Sequence, residues 1–236
     1  MSACLISDLH LQIERPDLTL AFEKFIKNKA SSYESLYILG DLFEAWIGDD
    51  FNNEFTIRVK KILKDLTLSG INLYLMHGNR DFLLGESFCK EVGANLIEDP
   101  TKLNICNKEV LLMHGDTLCI DDVDYQTFRS VVRDKKWKED FLKKDINERI
   151  EVAKSLRDVS KIENKDKSSE IMDVNQLAVN DVFQKNNATL LIHGHTHRPQ
   201  EHDEIYGRRI VLGDWDKDLW YLTINNKKIE LIREKI

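Results

Sequence analysis

Five short clusters of aspartate, histidine and asparagine carry the side chains that bind first-row divalent ions. They are Asp8-Leu9-His10, Gly40-Asp41, Gly78-Asn79-Arg80-Asp81, His114-Gly115-Asp116 and Gly194-His195-Thr196-His197. Carboxylates, neutral imidazoles and an amide oxygen suit Mn²⁺, Fe²⁺ or Zn²⁺, and the absence of cysteine from all five clusters disfavours a structural zinc site. The candidate ligands are Asp8, His10, Asp41, Asn79, His114, His195 and His197. Seven donors are too many for one ion and suit a pair about 3.5–4 Å apart, with Asp41 able to bridge. Such a pair activates water near neutral pH and clamps an electron-rich oxyanion, which makes phosphorus esters the natural substrate class. Arg80, beside Asn79, adds a planar cation for the phosphoryl oxygens.

Taken singly, the clusters have ordinary structural readings as turns or caps. Their joint occurrence, each directly after a strand-like run, is what points to a site. Cys4–Ile6, Leu36–Leu39 and Leu73–Met76 read as buried strands. They alternate with helical patterns over Leu20–Ile26, Phe55–Leu68 and Gly85–Val92, the signature of an α/β sheet with a parallel portion. Ligand sites in such sheets lie beyond the carboxyl ends of strands, so five strand-end loops can share one crevice. Further on, Lys102–Cys106 and Glu109–Met113 read as a hairpin turning at Asn107-Lys108. Ala188–Ile192 is a buried strand, and Ile205-Tyr206 and Ile210–Leu212 flank Gly207-Arg208-Arg209. Leu219–Ile224 and Lys227–Ile232 flank Asn225-Asn226, a favourable two-residue turn. The second half of the sheet structure is expected to be antiparallel. The fold class is therefore α/β (α+β), a sandwich of two mixed sheets flanked by helices.

The remaining histidines separate from the donors. His77 and His193 each precede a cluster glycine and read as packing or supporting residues, and His202 as a surface residue. Glu44, Asp81 and Asp116 are expected to orient ligands or hold loops. The chain has 236 residues and a formal net charge of −7, with 3 Pro and 10 Gly. It lacks the positive field of a duplex nucleic-acid binder and the composition of a disordered linker. No apolar run approaches the roughly 18 residues of a membrane span, and the first residues lack a signal-peptide pattern, so a cytoplasmic location is expected. Cys4, Cys89, Cys106 and Cys119 are scattered and are expected to be reduced, buried thiols.

Charge is uneven along the chain. Residues 133–167 hold 12 Lys+Arg against 9 Asp+Glu, while the rest carries −10. Across 121–185, Phe128, Val131, Trp137, Phe141, Ile146 and Ile150 recur at roughly helical spacing. The stretch 121–185 is expected to be a helical cap, basic on one side and apolar on the other, inserted into a core formed by 1–120 and 186–236.

The five clusters together resemble the calcineurin-like metallophosphoesterase superfamily. Longer blocks resemble its UDP-2,3-diacylglucosamine diphosphatase family, over essentially the whole chain. These are Ile6–Leu11, Gly40–Trp46, Gly78–Leu83, His114–Cys119, Asp121–Gln126, Ile192–Pro199 and Gly213–Trp215. The resemblance implies a Mn²⁺ pair and release of UMP from a UDP-linked, doubly acylated glucosamine in lipid A synthesis. Asp8, His10, Asp41 and His197 would hold the first ion, and Asp41, Asn79, His114 and His195 the second. Asn79, Arg80 and His195 would be the catalytic groups. Asn79, Arg80, Asp122, Ser160, Asn164, Lys167 and His195 would contact substrate. The apolar and basic cap fits such an amphiphilic substrate and allows peripheral attachment at the cytoplasmic face of the inner membrane. No protein partner is evident. The rival expectation is a calcineurin-like phosphoesterase acting on soluble nucleotides or phosphoproteins, which would not require an apolar, basic cap.

Overall fold

Strand β1 (Ser2–Ile6) turns alternate residues to opposite sides, as a pleated strand must. Cys4 and Ile6 enter a core beneath helices, whereas Ala3 and Leu5 enter a second core between two sheets. Both faces are buried, so the strand reads as a continuous apolar run. The same holds for β2 (Ser35–Leu39) and for most of β3 (Asn72–Met76). The molecule, a computed structural model, is described over residues 2–166 and 171–236, the side chains of residues 160–166 excepted.

Helix α1 (Pro16–Asn28) begins on a proline, whose missing N–H costs nothing at a helix start. Helix α2 (Glu54–Leu68) begins on a capping box: Asn53 accepts from the Thr56 N–H at 2.8 Å and Thr56 Oγ1 accepts from the Asn53 N–H at 2.9 Å. Helix α3 (Glu86–Val92) ends at Gly93 in the left-handed conformation and leads into β4 (Ala94–Ile97), a strand absent from the sequence reading. Strands β1 to β4 pair in parallel in the order β1-β2-β3-β4. On the other side of β1 lie β10 (Asp218–Asn225) and β11 (Ile229–Lys235), both antiparallel to their neighbours.

The second sheet runs β5-β6-β7-β9-β8, with β5 (Thr101–Ile105), β6 (Lys108–Leu112), β7 (Leu190–His193), β8 (Gln200–Glu204) and β9 (Gly207–Val211). The expected antiparallel pairs β5–β6, β8–β9 and β10–β11 are present, but β6, β7 and β9 run parallel, which corrects the expectation of an antiparallel second half for the middle of this sheet. Long connections are the reason. Helices α4 (Val123–Arg133), α5 (Lys135–Leu142), α6 (Ile146–Asp166) and α7 (Gln176–Lys185) all lie between β6 and β7, and a long crossover lets neighbours run the same way. Two turns also shift. The β5–β6 hairpin turns at Cys106-Asn107, both at positive φ, and the β8–β9 hairpin turns at Ile205-Tyr206, leaving Gly207-Arg208-Arg209 inside β9.

The layers are thus α1–α3, sheet, sheet and α7. A third apolar cluster, including Leu111, Leu191, Val179 and Phe183, seats α7 on the second sheet. Trp137, Ile146, Val152 and Ala153 of the β6–β7 segment pack against the first core, and Phe141 belongs to it. Cys4, Cys89, Cys106 and Cys119 are free and buried.

Candidate metal centre

The carboxyl ends of β1, β2, β3, β6 and β7 bring all seven candidate donors to one place. His10 Nε2 lies 3.2 Å from His197 Nε2, and His197 Nε2 lies 3.5 Å from Asp8 Oδ1. The Asn79 amide lies 2.9 Å from His195 Nδ1 and 3.0 Å from His114 Nε2. Asp41 stands between the two sets, with one oxygen 3.9 Å from His10 Nε2 and the other 3.9 Å from His114 Nε2. Asp8 belongs to both compact three-residue groups, one with His10 and His197 and one with Asp41 and His114.

The backbone is strained to achieve this. Asp8, His10, Asp41, His195 and His197 all have φ between 48° and 71°, a region that side chains other than glycine rarely occupy. Such residues persist only where their surroundings over-determine them. The strand ends are tied together by main-chain bonds from Asp8 to Gly40, His10 to Asp41 and Gly194 to His114, at 3.1, 3.0 and 2.8 Å. Two glycines permit the approach: a Cβ on Gly78 would fall onto Asp41, and one on Gly194 onto Asp8 and Ser7.

Three imidazoles have their outward nitrogen facing an acceptor, which turns the other nitrogen inward. His114 Nδ1 pairs with the Leu39 carbonyl at 2.9 Å, His10 Nδ1 faces Glu44 at 3.1 Å, and His197 Nδ1 faces Asp214 at 3.6 Å. Asp81 is buried and accepts main-chain N–H groups from Leu42 and Gly78, both at 2.8 Å, fastening the Asp41 turn to the Asn79 turn. Burial and the Asp41 charge push its carboxyl up to about 6.

The two buried carboxylates at the centre call for positive charge. Burial alone would raise the Asp8 carboxyl, but the hydrogen bond and charge of His197 hold it well below the usual range. Burial would discharge His114, yet Asp41, Asp8 and Asp116 outweigh it and hold the imidazole up at about 9. His195 is pushed down to about 4 by burial and by His114, so it stays neutral.

The family model for calcineurin-like phosphoesterases matches residues 1–199. The chain belongs to the calcineurin-like phosphoesterase family. Among curated relatives, this phosphoesterase is 45% identical to the UDP-2,3-diacylglucosamine hydrolase of Marinobacter nauticus, over 100% of this chain and 98% of the relative. It is 44% identical to that of Azotobacter vinelandii over 98% of each chain, and 47% identical to that of Haemophilus influenzae over 90% of each. A solved archaeal phosphodiesterase shares the fold at a TM-score of 0.52 and 13% identity, covering all of both chains.

A phosphoesterase of this family is built around a pair of divalent ions, and the residues here fit one. Two imidazole nitrogens aimed at each other at 3.2 Å need a cation or a proton between them, and the buried carboxylates beside them need the same charge. The oxygen and imidazole donor set is that of first-row divalent ions.

A cavity of about 400 Å³ opens from the centre. His10, Asp41, Asn79, His195 and His197 line it, together with the apolar Phe82, Leu83, Phe128, Trp137, Phe141 and Leu156. Arg80 lines it too, its Nε 4.0 Å from Asp41. Asp122 lines it while capping α4, accepting the Tyr125 N–H at 3.1 Å. Ser160 and Asn164 lie on α6 with side chains outside the described residues, and Lys167 lies outside them altogether.

Several supporting residues escaped the sequence reading. Asp214 was visible only within a resembling block. Tyr125, Arg129 and Arg133 face inward from α4: Tyr125 Oη donates to Asp116 at 2.6 Å, Arg129 Nε at 2.7 Å, and Arg133 donates to the Gly78 carbonyl at 2.9 Å. Arg157 of α6 pairs with Glu44, the residue facing His10. His77 bonds the Leu84 carbonyl at 2.6 Å and is a packing residue; His202 is half-buried on β8.

Proposed function

We propose that this phosphoesterase hydrolyses the pyrophosphate of UDP-2,3-diacylglucosamine, giving UMP and 2,3-diacylglucosamine 1-phosphate in lipid A synthesis, with two Mn²⁺ as its ions. The observation that carries the reading is one cavity lined both by five of the seven donors, His10, Asp41, Asn79, His195 and His197, and by aromatic and aliphatic side chains. A phosphate group and acyl chains need those two surroundings side by side. The near full-length likeness to curated UDP-2,3-diacylglucosamine hydrolases supports the same substrate.

Asp8, His10, Asp41 and His197 would hold one ion, and Asp41, Asn79, His114 and His195 the other. Bound there, the ions supply an acidified water and positive charge for phosphoryl oxygens. Hydrolysis would place a water oxygen on the phosphorus on the uridine side as the bond from that phosphorus to the bridging oxygen breaks. The bridging oxygen would leave with the sugar phosphate, and the water's protons would end on the two phosphate products or in solvent. Arg80 presents its guanidinium at the cavity edge of the cluster, where charge grows on the phosphoryl oxygens. Asn79 and His195 keep the substrate phosphate in register; His195, being neutral, adds no charge of its own. Apolar side chains of α4 to α6 exclude water from the acyl chains. In this reading residues 121–185 act as a cap on a core of 1–120 and 186–236, with Asp122, Ser160, Asn164 and Lys167 contacting substrate.

Among the described residues no helix is long and apolar enough to cross a membrane. We place the protein peripherally on the cytoplasmic face of the inner membrane. Val123, Phe128 and Val131 are exposed apolar residues on α4, and Lys135 and Lys136 follow them in the exposed first turn of α5. An apolar face beside lysines suits an anionic lipid surface.

The deciding experiment incubates purified protein and Mn²⁺ with UDP-2,3-diacylglucosamine. Release of UMP supports the reading. Cleavage of soluble nucleotides with no action on the acylated substrate would replace it with a soluble-substrate phosphoesterase.

A further inference from the structure

His195 and His197 sit within three residues of each other, both at positive φ, on the turn after β7. From one side the turn is held by Asp8, whose carboxylate accepts the His195 N–H at 2.9 Å. From the other side it is held by a buried polar line that the reaction itself does not use. Gly194 O accepts the Thr196 N–H at 2.9 Å and lies 2.9 Å from His193 Nδ1. His193 Nε2 lies 3.3 Å from an Arg209 guanidinium nitrogen. Arg209 Nε donates to Glu204 at 2.7 Å, and the second Glu204 oxygen accepts from Gln176 on α7 at 2.7 Å. Arg209 and Glu204 are each 7% exposed, and His193 is fully buried.

The chemistry of this line fixes one tautomer. A guanidinium has donors only, so the His193 nitrogen facing it must be the bare acceptor. The proton of a neutral imidazole then sits on Nδ1 and is donated to Gly194 O. That carbonyl is the pivot of the turn, since it also accepts Thr196. We infer that Arg209, backed by Glu204, is a positioning residue for the centre: it sets the His193 tautomer, which anchors the Gly194 carbonyl and keeps His195 and His197 aimed inward.

The inference rests on His195 and His197 being metal ligands, so the test separates the two claims. Loss of Mn²⁺ binding in His195→Ala and in His197→Ala tests the ligand reading alone, by electron paramagnetic resonance of free Mn²⁺. Wild-type affinity in both would overturn that reading whatever Arg209 does. For Arg209, the variant is Arg209→Lys, which keeps a cation for Glu204 but cannot reach Glu204 and His193 together. In nitrogen-15 imidazole spectra of the metal-free protein, wild-type His193 should show the Nδ1-protonated tautomer alone, and Arg209→Lys a mixture in which the Nε2-protonated form appears. Mn²⁺ affinity should fall about 10-fold with it, the usual effect of losing a group that orients a ligand. A second pair guards against misfolding. His193→Asn keeps a donor near the Nδ1 position and should stay close to wild type, whereas His193→Phe should match the Arg209→Lys loss. Unchanged Mn²⁺ affinity in Arg209→Lys or His193→Phe, or lost affinity with an unaltered His193 tautomer, overturns the proposal.

Discussion

Asp116→Asn removes a single charge from a buried cluster, and its cost can be worked from the partners. The Asp116 carboxylate is fully buried and accepts Tyr125 Oη at 2.6 Å and Arg129 Nε at 2.7 Å, with Arg133 at 4.0 Å. An asparagine oxygen can keep the tyrosine bond, but both guanidiniums then face a neutral group. Stripping the partner from a buried charge costs about 3–5 kcal/mol. Arg129 and Arg133 are 25% and 18% exposed, so water recovers part of this and about 2–4 kcal/mol remains. For a chain of this size that is a fall in Tm of about 5–15 °C near pH 8. The sign with pH follows from the carboxyl being held well below its ordinary value, where the charges of His114, Arg129 and Arg133 outweigh burial. A lowered folded pKa adds stability above the unfolded value near 3.8, and that stability fades as pH drops below it. The gap between variant and parent should therefore be constant from pH 8 to about pH 5 and shrink below about pH 4. Scanning calorimetry of both proteins, metal-free, across that range is the assay. Equal Tm at pH 8, or a gap that widens in acid, would refute the reasoning.

Three further outcomes are expected. Gly78→Ala puts a methyl onto Asp41 and should cut kcat about 100-fold or more while lowering Mn²⁺ stoichiometry, read by turnover and atomic absorption on a folded sample. Asp41→Ala should abolish turnover and reduce bound Mn²⁺; full metal content with intact activity would remove the bridging role given to it. Arg149 is buried on α6 and donates to the Ile47 carbonyl and to Asp50, both at 2.7 Å. Since Asp50 is 60% exposed, Arg149→Met should cost only about 1–3 kcal/mol, with hydrogen exchange rising in α6 before the sheets.

What the sequence made legible was local. Asp8 and His10, or His195 and His197, stand two residues apart after a strand, and that spacing alone places each pair on one rim. Glu44 and Asp81 were equally readable as supports, being only a few residues from Asp41 and Asn79. The second sheet was not readable, because β6 and β7 are neighbours separated by α4 to α7, and no nearby residue records that they run parallel. Arg129, Arg133 and Arg157 look like parts of solvated, mixed-charge helices. Only the packing of α4 and α6 shows that they point inward, to Asp116, the Gly78 carbonyl and Glu44. Asp214 lies 17 residues after the imidazole it faces, and that pairing exists only once β9 has returned beside β7.

The left-handed backbone at five of the seven donors has a consequence for how such a chain drifts over generations. Each of those residues costs about 1 kcal/mol or more, so together they amount to about 5–10 kcal/mol, comparable with the whole net stability of a domain. Replacing any of them by glycine would relax the backbone and remove a candidate donor in one step. Inactivation is therefore the downhill direction for this fold. A lineage freed from the need to bind metal would gain stability as it lost its donors, and only selection for turnover keeps five strained residues where they are.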